Sequence, residues 1–69
     1  MSDSVYKVIE LVGTSSNSWE EAAKKAVERA TKTLRDVRVA EVSDLDMKVE
    51  DGKVSLYRAK VKVSFKFEN

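Results

Sequence analysis

The periodic stripe of small apolar residues between Trp19 and Val37 constrains this chain more than any other feature. Trp19, Ala22, Ala23, Ala26, Val27, Ala30, Leu34 and Val37 keep a three-and-four spacing, the pattern of a helix that buries one face, for about five turns. Ser18 stands three residues before Glu21, so its hydroxyl is expected to cap the helix while the glutamate answers the cap's own N–H. Glu20 with Lys24, Glu21 with Lys25 and Glu28 with Lys32 sit four residues apart on the outer face, where such pairs support a helix. The acids precede the bases, as the helix dipole prefers. Because the buried stripe is mostly alanine, its partner layer can approach closely.

That partner layer reads as a sheet. Val5 to Val12 is β-branched and aliphatic with apolar side chains on both faces, the composition of a strand buried on two sides. Gly13 is expected to end it, with Thr14 to Asn17 forming a polar loop before Ser18. Beyond the helix, Arg38 to Val49 and Val54 to Phe67 read as strands joined across Glu50 to Lys53. Asp51-Gly52 at that junction is a strong hairpin signal. In the last strand Tyr57, Ala59, Val61, Val63, Phe65 and Phe67 share one face, and Arg58, Lys60, Lys62, Ser64 and Lys66 the other.

A three-residue loop from Asp51 to Lys53 would set Leu45, Met47 and Val49 opposite Ala59, Tyr57 and Ser55, and pair Asp46 with Arg58 and Asp44 with Lys60. Further back the apolar set changes parity to Ala40 and Val42, which calls for a bulge near Ser43. Val39 and Glu41 then join the Arg58 face, with Glu41 near Lys62. The expected class is α+β in the order β-α-β-β, a three-stranded antiparallel sheet on one long helix, as a single domain over residues 1–69.

Such a core has only two layers and is incomplete. A chain of 69 residues buries about 60% of its unfolded surface, and ordering at roughly 1.5 kcal/mol per residue is barely matched by that burial. The absence of cysteine and histidine removes disulfides, the usual zinc ligands, and cysteine- or histidine-based catalysis. Self-association is the remaining staple. The second face of the first strand, with Val39, Val54 and Leu56, needs cover from neighbouring copies, and the long last strand is expected to offer its edge to a symmetric partner.

With 13 basic and 12 acidic residues no global field draws nucleic acid. No apolar run approaches the ~20 residues of a membrane span, and no leader pattern is seen, so the default location is cytoplasmic. Asp44 and Asp46 read as metal ligands or an acid–base pair, or as ion-pair partners of the bases across the hairpin. The stripe Arg58, Lys60, Lys62 and Lys66 has acids within reach of three of its members and no interleaved aromatic to stack a base. Trp19 reads as a core anchor or subunit contact, and Tyr6 as an interface residue. The Gly13 to Ser18 segment faintly suggests an anion site, but capping alone accounts for it. Nothing supplies a nucleophile with a base and an orienting partner, so the chain does not read as an enzyme.

The opening VYKVIELVGTS, the helix SWEEAAKKAVERA, the strand VRVAEV and the closing YRAKVKVSFKFEN together resemble the dodecins from Val5 to Glu68. The resemblance implies a helix partly wrapped by a three-stranded sheet, twelve copies arranged as a hollow shell, and non-catalytic storage of flavins (riboflavin or FMN) stacked between aromatic side chains. The family's stacking tryptophan, two residues before the glutamate of the EV pair, falls here on Val39, which has no π-face. The glutamine that follows the aromatic of the last strand falls on Arg58. Both departures imply a lost flavin platform. The SW-E helix start and the valine resemble a calcium-binding subgroup. Calcium takes six to eight oxygens, and the candidate ligands are Asn17 and Glu20, beside Ser18 at the loop-to-helix junction, with Asp44 and Asp46 on one strand face. No run matches an EF-hand loop.

Overall fold

The computed structural model describes residues 5–66. It consists of β1 (Tyr6–Ser15), α1 (Trp19–Thr31), β2 (Val37–Glu50) and β3 (Lys53–Lys66), the expected β-α-β-β order. The strands form one antiparallel sheet in the order β1-β3-β2. Phe67, expected at the end of the core-facing set, lies outside the described residues. No helix among the described residues is long and apolar enough to cross a membrane.

The strand order corrects the expectation that the last strand leaves an open edge. β3 is the central strand, hydrogen-bonded on both sides, and the edges are β1 and β2. Geometry explains this. A helix about 10 Å across spans two strand spacings of about 4.8 Å, so the crossover from β1 through α1 sets β2 down one place too far away to pair. β3 fills the slot, antiparallel to both neighbours.

β1 runs past the expected stop at Gly13, which pairs with Ala59, to Ser15, which pairs with Tyr57. Glycine does not break the strand because its backbone lies directly beneath the helix: a Cβ there would overlap the carbonyl of Ala22. α1 is shorter than its apolar stripe. It stops at Thr31, where the Thr31 hydroxyl donates to the Glu28 carbonyl at 2.8 Å and the N–H groups of Thr33 and Leu34 both turn to Ala30. Threonine hydroxyls that bond backbone carbonyls compete with helix propagation. Leu34 and Val37 still pack on the core, from outside the helix, which is why the periodicity runs on beyond the helix itself.

The hairpin register agrees with the expectation at Leu45–Ala59, Met47–Tyr57, Asp46–Arg58, Asp44–Lys60 and Glu41–Lys62, with the bulge between Val42 and Asp44. The turn itself differs. Glu50 pairs with Lys53 and Val49 with Val54, so the turn is Asp51-Gly52 alone, with φ of 52° and 74°. Two positive φ values define the turn whose twist matches paired strands. The tighter turn is absorbed by a register shift after Lys48, where Ser55 donates from Oγ to the Lys48 carbonyl at 3.2 Å. At the bulge between Val42 and Asp44, Ser43 donates to the Lys60 carbonyl at 3.3 Å; a third register shift lies between Val37 and Val39.

The core consists of Ala22, Ala26 and Ala30 of the helix against Ala59, Val61 and Val63 of β3, with Ile9, Leu11, Ala23, Val27, Leu34 and Val37 around it. On β1 only the Ile9 and Leu11 side of the strand is covered; Val8 and Val12 stand open. Among the described residues ten large apolar side chains, including Val8, Val12, Val39, Val42, Leu45, Met47 and Val54, keep between 46% and 65% of their surface. The radius of gyration is 14.4 Å, against about 11 Å for a compact domain of this length. The excess reflects the β2–β3 hairpin reaching past a helix too short to cover it.

Candidate functional site

The register sorts the candidate residues onto two surfaces. Val39, Glu41, Asp44 and Asp46 of β2 lie opposite Ser64, Lys62, Lys60 and Arg58 of β3, on the face of the sheet turned away from α1. Asn17 and Glu20 lie at the start of the helix, where they line a hollow with Ser18, Trp19 and Tyr57.

On the open face the strongest contact is the one between Arg58 and Asp46. Nε of Arg58 donates to Oδ1 at 2.6 Å and Nη2 to Oδ2 at 2.8 Å, the two-pronged geometry that a planar guanidinium offers a carboxylate. This hydrogen bonding holds the Asp46 carboxyl below its ordinary value and raises Arg58. Asp44 accepts from the N–H of Leu45 at 3.2 Å. Val39 is 58% exposed and presents no ring. Its partner Ser64 is six residues from Arg58 along β3, about 20 Å of strand. One chain therefore does not bring Val39 and Arg58 together.

At the helix start the expected cap is half present. Ser18 Oγ accepts from the Glu21 N–H at 3.0 Å, but the Ser18 N–H turns to Ser15 Oγ at 3.3 Å, not to Glu21. The Glu21 carboxylate instead accepts from the Ser15 hydroxyl and from Asn17 Nδ2 at 3.0 Å, with Lys25 at 3.6 Å. The Ser15 bond, then the Asn17 bond, lower the Glu21 pKa. Of the expected helix pairs, Glu21–Lys25 is the one that closes among the described residues. Reading the sequence missed Ser15 because it was assigned to a loop; its place on the strand, in register with Tyr57, buries it at 3% exposure beneath the helix start.

Trp19 is anchored by two contacts. Its Nε1–H donates to the backbone carbonyl of Asp46 at 2.9 Å, and its ring meets Tyr57 edge to face, with centroids 5.2 Å apart at 74°. One residue, Asp46, thus ties the two surfaces together: its side chain holds Arg58 on the open face while its carbonyl holds Trp19 on the helix side.

The donor chemistry at the helix start suits a hard cation, since Asn17 keeps its carbonyl oxygen while its NH2 serves Glu21, and Glu20 and Ser18 add oxygens. The count falls short of six to eight. Among the described residues no group of three or more acidic side chains converges, so remaining ligands would have to come from water or a second copy.

The model of one protein family, described as Dodecin, matches residues 5–68. The chain is 52% identical over 63 residues to calcium dodecin from Mycobacterium tuberculosis, covering 91% of this chain and 89% of that protein. It is 39% identical to a dodecin from Thermus thermophilus, over 93% of each. Among solved structures, a dodecin from Streptomyces coelicolor superposes with a TM-score of 0.92 at 38% identity, covering 100% of this chain and 99% of that one. A Mycobacterium tuberculosis calcium dodecin structure, described as having a novel calcium-binding site, superposes at 0.84 with 53% identity, over 94% and 93% of the two chains. The strand order, the alanine-lined helix seat and the nearly end-to-end match in sequence and backbone agree: this chain belongs to the dodecin family.

Proposed function

We propose that this chain is a non-catalytic, small-ligand-binding subunit that assembles with copies of itself into a hollow twelve-copy shell, with calcium rather than flavin as its ligand. The observation that carries the reading is the 52% identity to calcium dodecin along 91% of the chain. The local chemistry supports it. At the family's ring position Val39 offers nothing to stack on, and at the family's second marker Arg58 is already held by both oxygens of Asp46. Assembly is supported by the open apolar residues and the excess radius.

The proposed ligand set is Asn17 and Glu20 from one subunit, with Asp44, and Asp46 if it leaves Arg58, from another. The two pairs lie on different surfaces of one chain, so a single ion can gather both only between copies. Calorimetric titration of chelator-treated protein should show saturable heat and a raised thermal midpoint with calcium. Absence of both at millimolar calcium rejects the ion. Light scattering at micromolar concentration should give a mass many times the 7.8 kDa of one chain; a monomer rejects the shell. Riboflavin fluorescence should stay unquenched in the same protein, and quenching would restore flavin as the ligand.

A further inference from the structure

Beside the helix start stand two aromatic rings, Trp19 and Tyr57, that a hard metal ion does not use. Trp19 and Tyr57 stand edge to face at 74°, forming a corner instead of a stack. The Trp19 N–H donates to the Asp46 carbonyl at 2.9 Å, which favours this orientation of the ring. One hollow of about 360 Å³ lies against both rings together with Asn17, Ser18 and Glu20. Glu20 borders this hollow, and no lysine or arginine lines it. Glu20 takes part in no ion pair among the described residues.

Ring faces attract cations through their quadrupole, and a neighbouring carboxylate adds full charge to that attraction. The helix N-terminus opposes a cation with about half a positive charge, yet the Ser18 cap occupies one of its N–H groups and Glu20 outweighs the remainder. We propose that the Trp19, Tyr57 and Glu20 corner binds an organic ammonium group, the ligand class whose apolar surface fits ring faces and whose charge fits the carboxylate. This goes beyond calcium binding; Glu20 belongs to the proposed calcium set as well, so the two ligands compete for that carboxylate and calcium is kept out of the test.

Trp19 is the only tryptophan in the chain, so its emission reports on the corner directly. The chelator-treated, assembled protein is titrated with tetramethylammonium chloride, and separately with sodium chloride and ammonium chloride at equal ionic strength. A saturable change with tetramethylammonium alone is expected. Tyr57→Leu and Glu20→Gln should each weaken it about threefold, while Tyr57→Phe, which keeps the ring, should bind within about twofold of the parent. The proposal is overturned by no response, by an equal response to all three salts, or by Tyr57→Leu and Glu20→Gln variants that bind like the parent. Calcium enters no arm, so failure of the calcium reading leaves this result intact.

Discussion

Gly13 of β1 lies so close beneath Ala22 of α1 that a side chain at position 13 would occupy the space of the Ala22 carbonyl and press on the Ala26 methyl. Its backbone has no positive φ, so the glycine is required by space alone. Gly13→Ala should push the helix off the sheet and destabilise by about 1–3 kcal/mol or more. Thermal unfolding at fixed protein concentration would show it as a lowered midpoint, and an unchanged midpoint would mean that the helix seat is looser than described.

Gly52 presents the opposite case. A Cβ at this position would meet nothing within 4 Å, yet the backbone φ is 74°, a region that costs an L-residue about 1–2 kcal/mol. Gly52→Ala is expected to lose about that much with no change in packing. Introducing Asn, which tolerates the left-handed region better, should recover part of the loss in the same unfolding assay.

The Arg58–Asp46 pair makes a prediction about acid. The folded Asp46 carboxyl titrates below its ordinary 3.8 because Arg58 hydrogen-bonds its charged form. Its contribution is therefore present above that value and is lost as pH falls through the depressed folded pKa. In Arg58→Met the Asp46 titration, followed by carboxyl NMR, should move up toward 3.8. A titration unmoved by the substitution would show that the pair does not hold in solution.

Ser15 gives a parallel prediction at the helix start. Glu21 lies below its ordinary 4.5, first through the Ser15 hydroxyl and then through Asn17. Ser15→Ala should raise the Glu21 pKa, and with it narrow the range below pH 4.5 over which acid weakens the contacts of the Glu21 carboxylate, since the folded value would then lie nearer the unfolded one. The same substitution removes the acceptor used by the N–H groups of Asn17 and Ser18. Amide exchange at Ser18 should accelerate, and protection equal to that of the parent would count against the network.

The strands and most of the register were legible because alternation in β3 separates Ala59, Val61 and Val63 from Arg58, Lys60 and Lys62, and acids on β2 match the bases. What escaped reading were places where side-chain identity and backbone role diverge. Gly13 looks like a stop until a helix is known to lie above it. Leu34 and Val37 keep helical spacing while lying outside the helix, because core contact depends on position and not on hydrogen bonding. The strand order was not legible, since alternation assigns faces and says nothing of neighbours. On the site side, the Asp46–Arg58 match followed from register, whereas the Trp19–Asp46 bond involves a backbone carbonyl, which carries no sequence signal.

Because β3 separates two strands that do not touch each other, the sheet has a direction in time as well as in space. As the chain emerges from the ribosome, β1, α1 and β2 are all made before the strand that joins them exists. Until β3 appears, β1 and β2 have neither hydrogen-bond partners nor the Ala59–Val61–Val63 seat for the helix. The domain should therefore close in a single late step, and nascent chains lacking β3 should remain fully open to protease.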